Sequence, residues 1–144
     1  MFFFNGGMGG TQARNGNSTM SWPSNVSPTP VEIAERDAPF KFLRKALLRG
    51  TGGAGSRRGG DGQEITFQSV HDSPMSVVFL TERVKHAAPG LCGGGDGACG
   101  AVLINGEPVD SRRQHLINPG DVVTLKTPGG GGFGRAAQSP ASQH

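Results

Sequence analysis

The sequence predicts a mainly β chain with long glycine-rich loops and at most one short helix, with α+β as the alternative. Three observations point there. Short alternating or β-branched apolar runs stand between loops with defined turn chemistry. Asn105-Gly106 separates two such runs, which is a strong two-residue hairpin signal. Finally, 25 Gly and 10 Pro in 144 residues leave few stretches that could sustain long helices.

Residues 1–30 read as an irregular Gly/Pro/Ser-rich lead-in: Asn5-Gly6-Gly7-Met8-Gly9-Gly10 is followed by turn residues at Asn15–Ser18 and a Pro/Ser stretch at Ser24–Pro30. Val31–Glu35 is a first strand candidate, Val31 and Ile33 flanking Glu32. Ala38–Leu48 is ambiguous. Phe40, Leu43 and Leu47 recur at helical spacing, Phe42, Arg44, Ala46 and Leu48 at spacing two, and propensity favours a helix with Pro39 in its first turn. A second glycine-rich loop, Gly50–Gly62, precedes a strand at Gln63–Val70. Met75–Thr81 follows as another strand, its continuous apolar run suggesting burial on both faces. Gly90–Gly100 is the third glycine-rich loop, and Ala101–Ile104 with Glu107–Val109 form the hairpin.

Asn118-Pro119-Gly120-Asp121 has type II turn chemistry and opens a strand at Val122–Lys126. The chain then runs through Gly129–Gly132 to Phe133. Ordering four glycines costs more backbone entropy than ordering any other four residues. A fold that keeps them needs unusual backbone angles or backbone pressed close to something. Residues 31–134 thus form the structured segment, and 135–144 read as a disordered tail.

Composition narrows the function classes. A net charge of +3 is mildly basic and does not argue for nucleic acid. Arg57-Arg58-Gly59-Gly60 and Gly131–Arg135 look like RNA-binding Arg-Gly pieces, but each occurs once, so a glycine/arginine-rich RNA-binding protein without catalysis is only the alternative reading. No apolar run approaches the ~18 residues of a membrane span. Cys92 and Cys99 fit free thiols in a reduced cytoplasm. Their six-residue separation does not suit zinc, so no metal is expected within the chain. No glycine run ends in Gly-Lys-Ser/Thr, which argues against a nucleotide-phosphate loop.

Five blocks, in order, resemble the C-terminal part of the hydantoinase B family, shared with 5-oxoprolinases and one subunit of acetone-type carboxylases. They are NGGMGG at 5–10, SNVSPTPVEIAE at 24–35, GGAGSRRGGDG at 52–62, ERVKHAAPGLCGGGDG at 82–97 and PGDVVTLKTPGGGGFG at 119–134. Two details depart from the family pattern: Gly50-Thr51 stand where the family has Asp-Ser, and only Pro89 precedes Gly90-Leu91 where two prolines are usual. The resemblance implies an incomplete portion of a larger domain. It implies ATP-dependent opening of a small cyclic amide, a hydantoin or 5-oxoproline. ATP and a divalent metal are implied for the complete enzyme, the metal ligands lying in the upstream part of the B subunit and the ATP chemistry in a hydantoinase A-like partner. Arg58, Gly59, Gly60, Arg83 and Asp121 are the substrate-binding candidates, since Arg suits bidentate holding of carboxylate or phosphate.

Overall fold

The computed structural model describes residues 3–20 and 30–136. The Pro/Ser stretch at 24–29 and residues 137–144 of the expected tail lie outside them. One short helix, α1 (Val31–Asp37), is followed by seven strands: β1 (Phe40–Leu48), β2 (Gly62–Ser69), β3 (Met75–Val78), β4 (Ala101–Ile104), β5 (Glu107–Pro108), β6 (Gln114–Ile117) and β7 (Val122–Lys126). An antiparallel five-stranded sheet has the order β1-β2-β7-β4-β5, and β3 pairs with β6 in a second, two-stranded sheet. The core is the seam between them. Ile65, Phe67, Val102 and Val123 come from the larger sheet, Ile117 from β6 and Phe79 from just beyond β3. At the end of β2, Ser69 Oγ is buried without a hydrogen-bond partner among the described residues.

The mainly β expectation holds, with corrections at three elements. Val31–Glu35 is not a strand but most of α1. One repeat of alternation is too short to fix a period. The Pro30 carbonyl accepts the N–H groups of Ile33 and Ala34, Ala34 is buried, and Ala38 N–H closes the turn on Ala34 O. Ala38 is extended, as a residue before proline should be, and the helix ends there. The segment from Phe40 is then a strand, against its helical propensity. Its mixed spacing has a cause: the β1–β2 register slips between Phe42 and Arg44, so Leu43 is an extra residue and the apolar phase shifts at the bulge. Phe40 and Phe42 pack on Phe67, with ring centroids 4.8 and 6.0 Å apart. Burial in that aromatic cluster outweighs propensity differences of a few tenths of a kcal/mol per residue. Finally, β3 is covered on one face only: Val77 is half-buried, whereas Val78 is 58% and Leu80 83% exposed.

The hairpin forms as expected, with Asn105 at φ 51° and Gly106 at φ 81°, the type I′ geometry. Gly120, at φ 84°, completes the turn into β7. Strand β6 carries too little pattern to be seen in advance.

Topology brings the glycine segments together. Strands β2, β7 and β4 are neighbours, and antiparallel pairing puts the start of β2, the end of β7 and the start of β4 at one end of the sheet. The stretches running off that end are 52–61, 127–134 and 88–100, and Asn5–Gly10 joins them. Gln63 and Thr127 hold the transition. Gln63 N–H donates to Thr127 Oγ1 (2.7 Å), Thr127 N–H to Gln63 O (2.9 Å), and both side chains donate to Asn5 O (3.1 and 3.0 Å).

Beyond this point the chains form a bundle around Gly129–Gly132. Gly129 N–H donates to Ala98 O, Gly130 N–H to Gly60 O and Gly132 N–H to Gly95 O. The central carbonyls receive Gly53 N–H at Gly130, Gly10 N–H at Gly131 and Leu91 N–H at Gly132. A Cβ on Gly129 or Gly132 would point into the 51–54 segment, one on Gly130 into Met8–Gly9, and one on Gly131 into Pro89–Gly90. Directions that repeat every three residues are those of a polyproline-II helix. None of the four central glycines has a positive φ. They are glycine because each added methyl would overlap a neighbour's carbonyl oxygen.

Gly130→Ala is therefore expected to cost more than ~4 kcal/mol and to abolish folding, in the range of severe core lesions. Gly106→Ala, which meets open space and only the positive-φ penalty, should cost about 1 kcal/mol. Circular dichroism of Gly130→Ala, expected to lack the wild-type β signal, and the urea midpoint of Gly106→Ala check the contrast.

Candidate functional site

The five substrate-binding candidates fall in three places. Arg58, Gly59 and Gly60 belong to the bundle. Arg58 Nη2 lies 3.2 Å from Asp61 Oδ1, an oxygen that also accepts the N–H of Gly52 at 2.9 Å, so the pair fastens the 52–61 segment to itself. The Arg58 N–H donates to Asn15 Oδ1 (2.9 Å) and its carbonyl accepts Gly16 N–H (2.7 Å). Gly59 and Gly60 are buried, their N–H groups donating to Gly53 O and Met8 O. A phosphate cradle needs such N–H groups free and convergent. Here they are used inside the bundle, so these glycines hold backbone against backbone.

Asp121 stands at the other end of β7, in the turn. Its Oδ2 accepts Asn118 N–H at 2.9 Å and its Oδ1 accepts Asn105 Nδ2 at 3.1 Å, while Asn105 Oδ1 accepts Val122 N–H at 2.9 Å. This carboxylate ties the 118–121 turn to the β4–β5 hairpin.

Arg83 alone opens onto a cleft. Residues 81–86, which leave the second sheet after Phe79, face 109–112, the turn between β5 and β6, across a cavity of about 420 Å³. Arg83, Lys85 and His86 line one side, Asp110, Ser111 and Arg112 the other, and Thr81, Glu82, Val84 and Val109 complete it. Arg83 has a left-handed backbone, φ 57°, and its carbonyl accepts Gly100 N–H at 3.0 Å. That conformation costs a non-glycine residue roughly 1 kcal/mol or more and survives where surroundings impose it. The facing turn is held by Asp110, whose Oδ1 accepts Arg112 N–H (3.0 Å) and whose Oδ2 lies 3.6 Å from Arg113 Nε. A ring nitrogen of His115 lies 2.6 Å from the Asp110 carbonyl oxygen and donates to it, and the ring sits beside Phe79.

The Arg112 N–H is the main reason the Asp110 carboxyl is held below its ordinary 3.8; desolvation opposes this, and the charges of Arg113, Lys85 and Arg112 add to the lowering. Sequence reasoning singled out Arg83 but missed Lys85 and Arg112. Nothing in Asp110-Ser111-Arg112-Arg113 signals that it faces residues about 27 positions earlier. Among the described residues no group of three His, Cys, Asp or Glu side chains could hold a metal ion, so the donor set here does not fit the divalent metal that the resemblance implies. Cys92 and Cys99 are free and exposed.

Comparisons with known proteins agree with the five sequence blocks. A family model described as Hydantoinase B/oxoprolinase matches residues 1–136. Among curated proteins, 5-oxoprolinase 1 of Arabidopsis thaliana is 36% identical over 139 residues, covering 90% of this chain and 10% of the plant protein. Caprolactamase subunit beta of Pseudomonas jessenii is 29% identical over 126 residues, covering 76% of this chain and 20% of that protein. Among solved structures, a nucleotide-free acetone carboxylase, described with a mechanism of ATP-dependent acetone carboxylation, superposes with a TM-score of 0.72 at 20% identity, over 90% of this chain and 22% of that one. At that identity the likeness speaks for the fold. The chain spans about a tenth to a fifth of the length of the curated relatives it matches.

One pH dependence follows from the cleft. Because the folded pKa of Asp110 is depressed, its contribution to stability is present above the unfolded value near 4 and is lost as pH falls through the folded value. Asp110→Asn should lower the urea midpoint at pH 6, and the difference from wild type should shrink towards pH 2.5.

Proposed function

This chain belongs to the hydantoinase B/oxoprolinase family, and from that premise we propose that it supplies part of the hydrolytic side of an ATP-dependent cyclic-amide hydrolase. The observation that carries the reading is the family match over residues 1–136, which takes in every segment of the glycine bundle. Relatives named 5-oxoprolinase and caprolactamase point to small lactams, and a hydantoin or 5-oxoproline is the substrate class we assign.

In this reading the bundle is a frame. Arg58, Gly59, Gly60 and Asp121 hold it and its turns, while Arg83 is the group left to face substrate or the surface that closes the site. The ATP chemistry belongs to a hydantoinase A-like partner subunit, and the metal ligands to the upstream part of the B-type subunit. The word "subunit" in the caprolactamase name supports a multi-chain assembly. The exposed Val78, Leu80 and Leu116 give the second sheet an outer apolar strip that such neighbours could cover. Among the described residues no helix is long and apolar enough to cross a membrane, and a cytoplasmic location fits free thiols and an ATP-linked reaction.

The purified 144-residue chain is expected to open neither 5-oxoproline nor hydantoin, with or without ATP and Mg²⁺. Co-expression with the upstream part of a B-type subunit and its A-type partner should give ATP-dependent turnover. Turnover by the isolated chain in proportion to its concentration, after removal of contaminating hydrolases, would place the catalytic groups within these residues and overturn the reading.

A further inference from the structure

We propose that the cleft between residues 81–86 and 109–112 is a binding site for a compact oxyanion, a carboxylate or a phosphate, held by Arg83, Lys85 and Arg112. Three features lead there. First, the cleft is concave, and its roughly 420 Å³ leaves room for a small organic acid or phosphate ester with its water.

Second, its charges do not balance. Asp110 is engaged by the Arg112 N–H and by Arg113, which sits outside the lining. Lys85 and Arg112 line the cleft from opposite walls, on either side of that carboxylate's loop. Their charges, with that of Arg83, exceed what Asp110 can neutralise. Glu82 is the only other carboxylate in the lining. None of Arg83, Lys85 and Arg112 makes a side-chain ion pair among the described residues, unlike Arg44 with Glu64 and Arg58 with Asp61. Guanidinium groups suit the oxygens of a carboxylate or phosphate bidentately, and a lysine adds a point charge.

Third, both walls are fixed in advance. Arg83 has a left-handed backbone whose carbonyl accepts the Gly100 N–H, and Ser111, next to Arg112 in the facing turn, is buried. The backbone that carries the three cations is therefore set before binding, and the ordering cost falls on their exposed side chains. Binding at this cleft can be measured without turnover, so its outcome is separate from that of the catalytic assay.

The test is a titration of the ¹⁵N-labelled chain with inorganic phosphate and, separately, with acetate, in low-salt buffer with chloride as the reference anion. Amide shifts at Arg83, Lys85, Ser111 and Arg112 that saturate with phosphate, acetate or both support the proposal. Response to phosphate alone marks a phosphoryl ligand, and to acetate alone a carboxylate. The double variant Arg83→Gln/Arg112→Gln should weaken the apparent affinity at least tenfold while the β2 and β7 amides keep their wild-type positions. Lys85→Gln, on a single exposed side chain, should give a smaller loss and serves if the double variant misfolds. Shifts no larger than with chloride, shifts confined to Arg57 and Arg135 at the bundle, or unchanged affinity in the variants would overturn it.

Discussion

The distance at which the glycine segments pass one another governs this structure. Around Gly129–Gly132, neighbouring backbones approach so closely that a methyl group at any of the four positions would overlap a carbonyl oxygen. The same holds in reverse for Gly59 against Gly130 and Gly94 against Gly132. That approach lets main-chain N–H groups reach carbonyls of several surrounding segments, so Gly53, Gly60, Gly129, Gly130 and Gly132 find partners without a β ladder. The entropy lost in ordering glycines is offset by many hydrogen bonds and by dispersion contacts between backbones. With six buried residues in the apolar core cluster among the described residues, the bundle has to supply much of the remaining cohesion.

This changes what the family-like motifs mean physically. Glycine-rich loops invite a reading as phosphate cradles or as walls of a site. Here Gly53, Gly60, Gly130 and Gly132 turn their N–H groups into the bundle. The sheet and the bundle are one construction, since β2, β7 and β4 continue into its segments across the Gln63–Thr127 clamp. What that frame leaves free for chemistry lies elsewhere, in side chains of the loops it anchors. Gly100, directly before β4, fixes the backbone of Arg83 at the cleft.

Much of this was legible in the sequence where local chemistry decides. Asn105-Gly106 and Pro119-Gly120 specify their turns because the required φ angles suit few other residues. Strands β2 and β7 alternate cleanly because one face of each meets the core. The need of Gly129–Gly132 for either unusual angles or close approach was readable, but the choice of close approach was not. It depends on segments more than 30 residues away meeting at one end of a sheet. Phe40–Leu48 misled because a bulge at Leu43 breaks the period, and Val31–Glu35 because its alternation is one repeat long. Of the candidate site, Arg83 was visible, whereas Lys85 and Arg112 gain meaning only from the fold that brings two loops face to face.

Hydrogen exchange in the native state tests the governing constraint most directly. If the bundle is a cooperative part of the fold, the amides of Gly53, Gly60, Gly130 and Gly132 should exchange only through global opening. Their protection would then match that of Ile65 and Val123 in the sheet. Exchange of those glycine amides at rates near those of an unfolded chain, while Ile65 and Val123 stay protected, would contradict it and leave the glycine segments as loops on a small β sandwich.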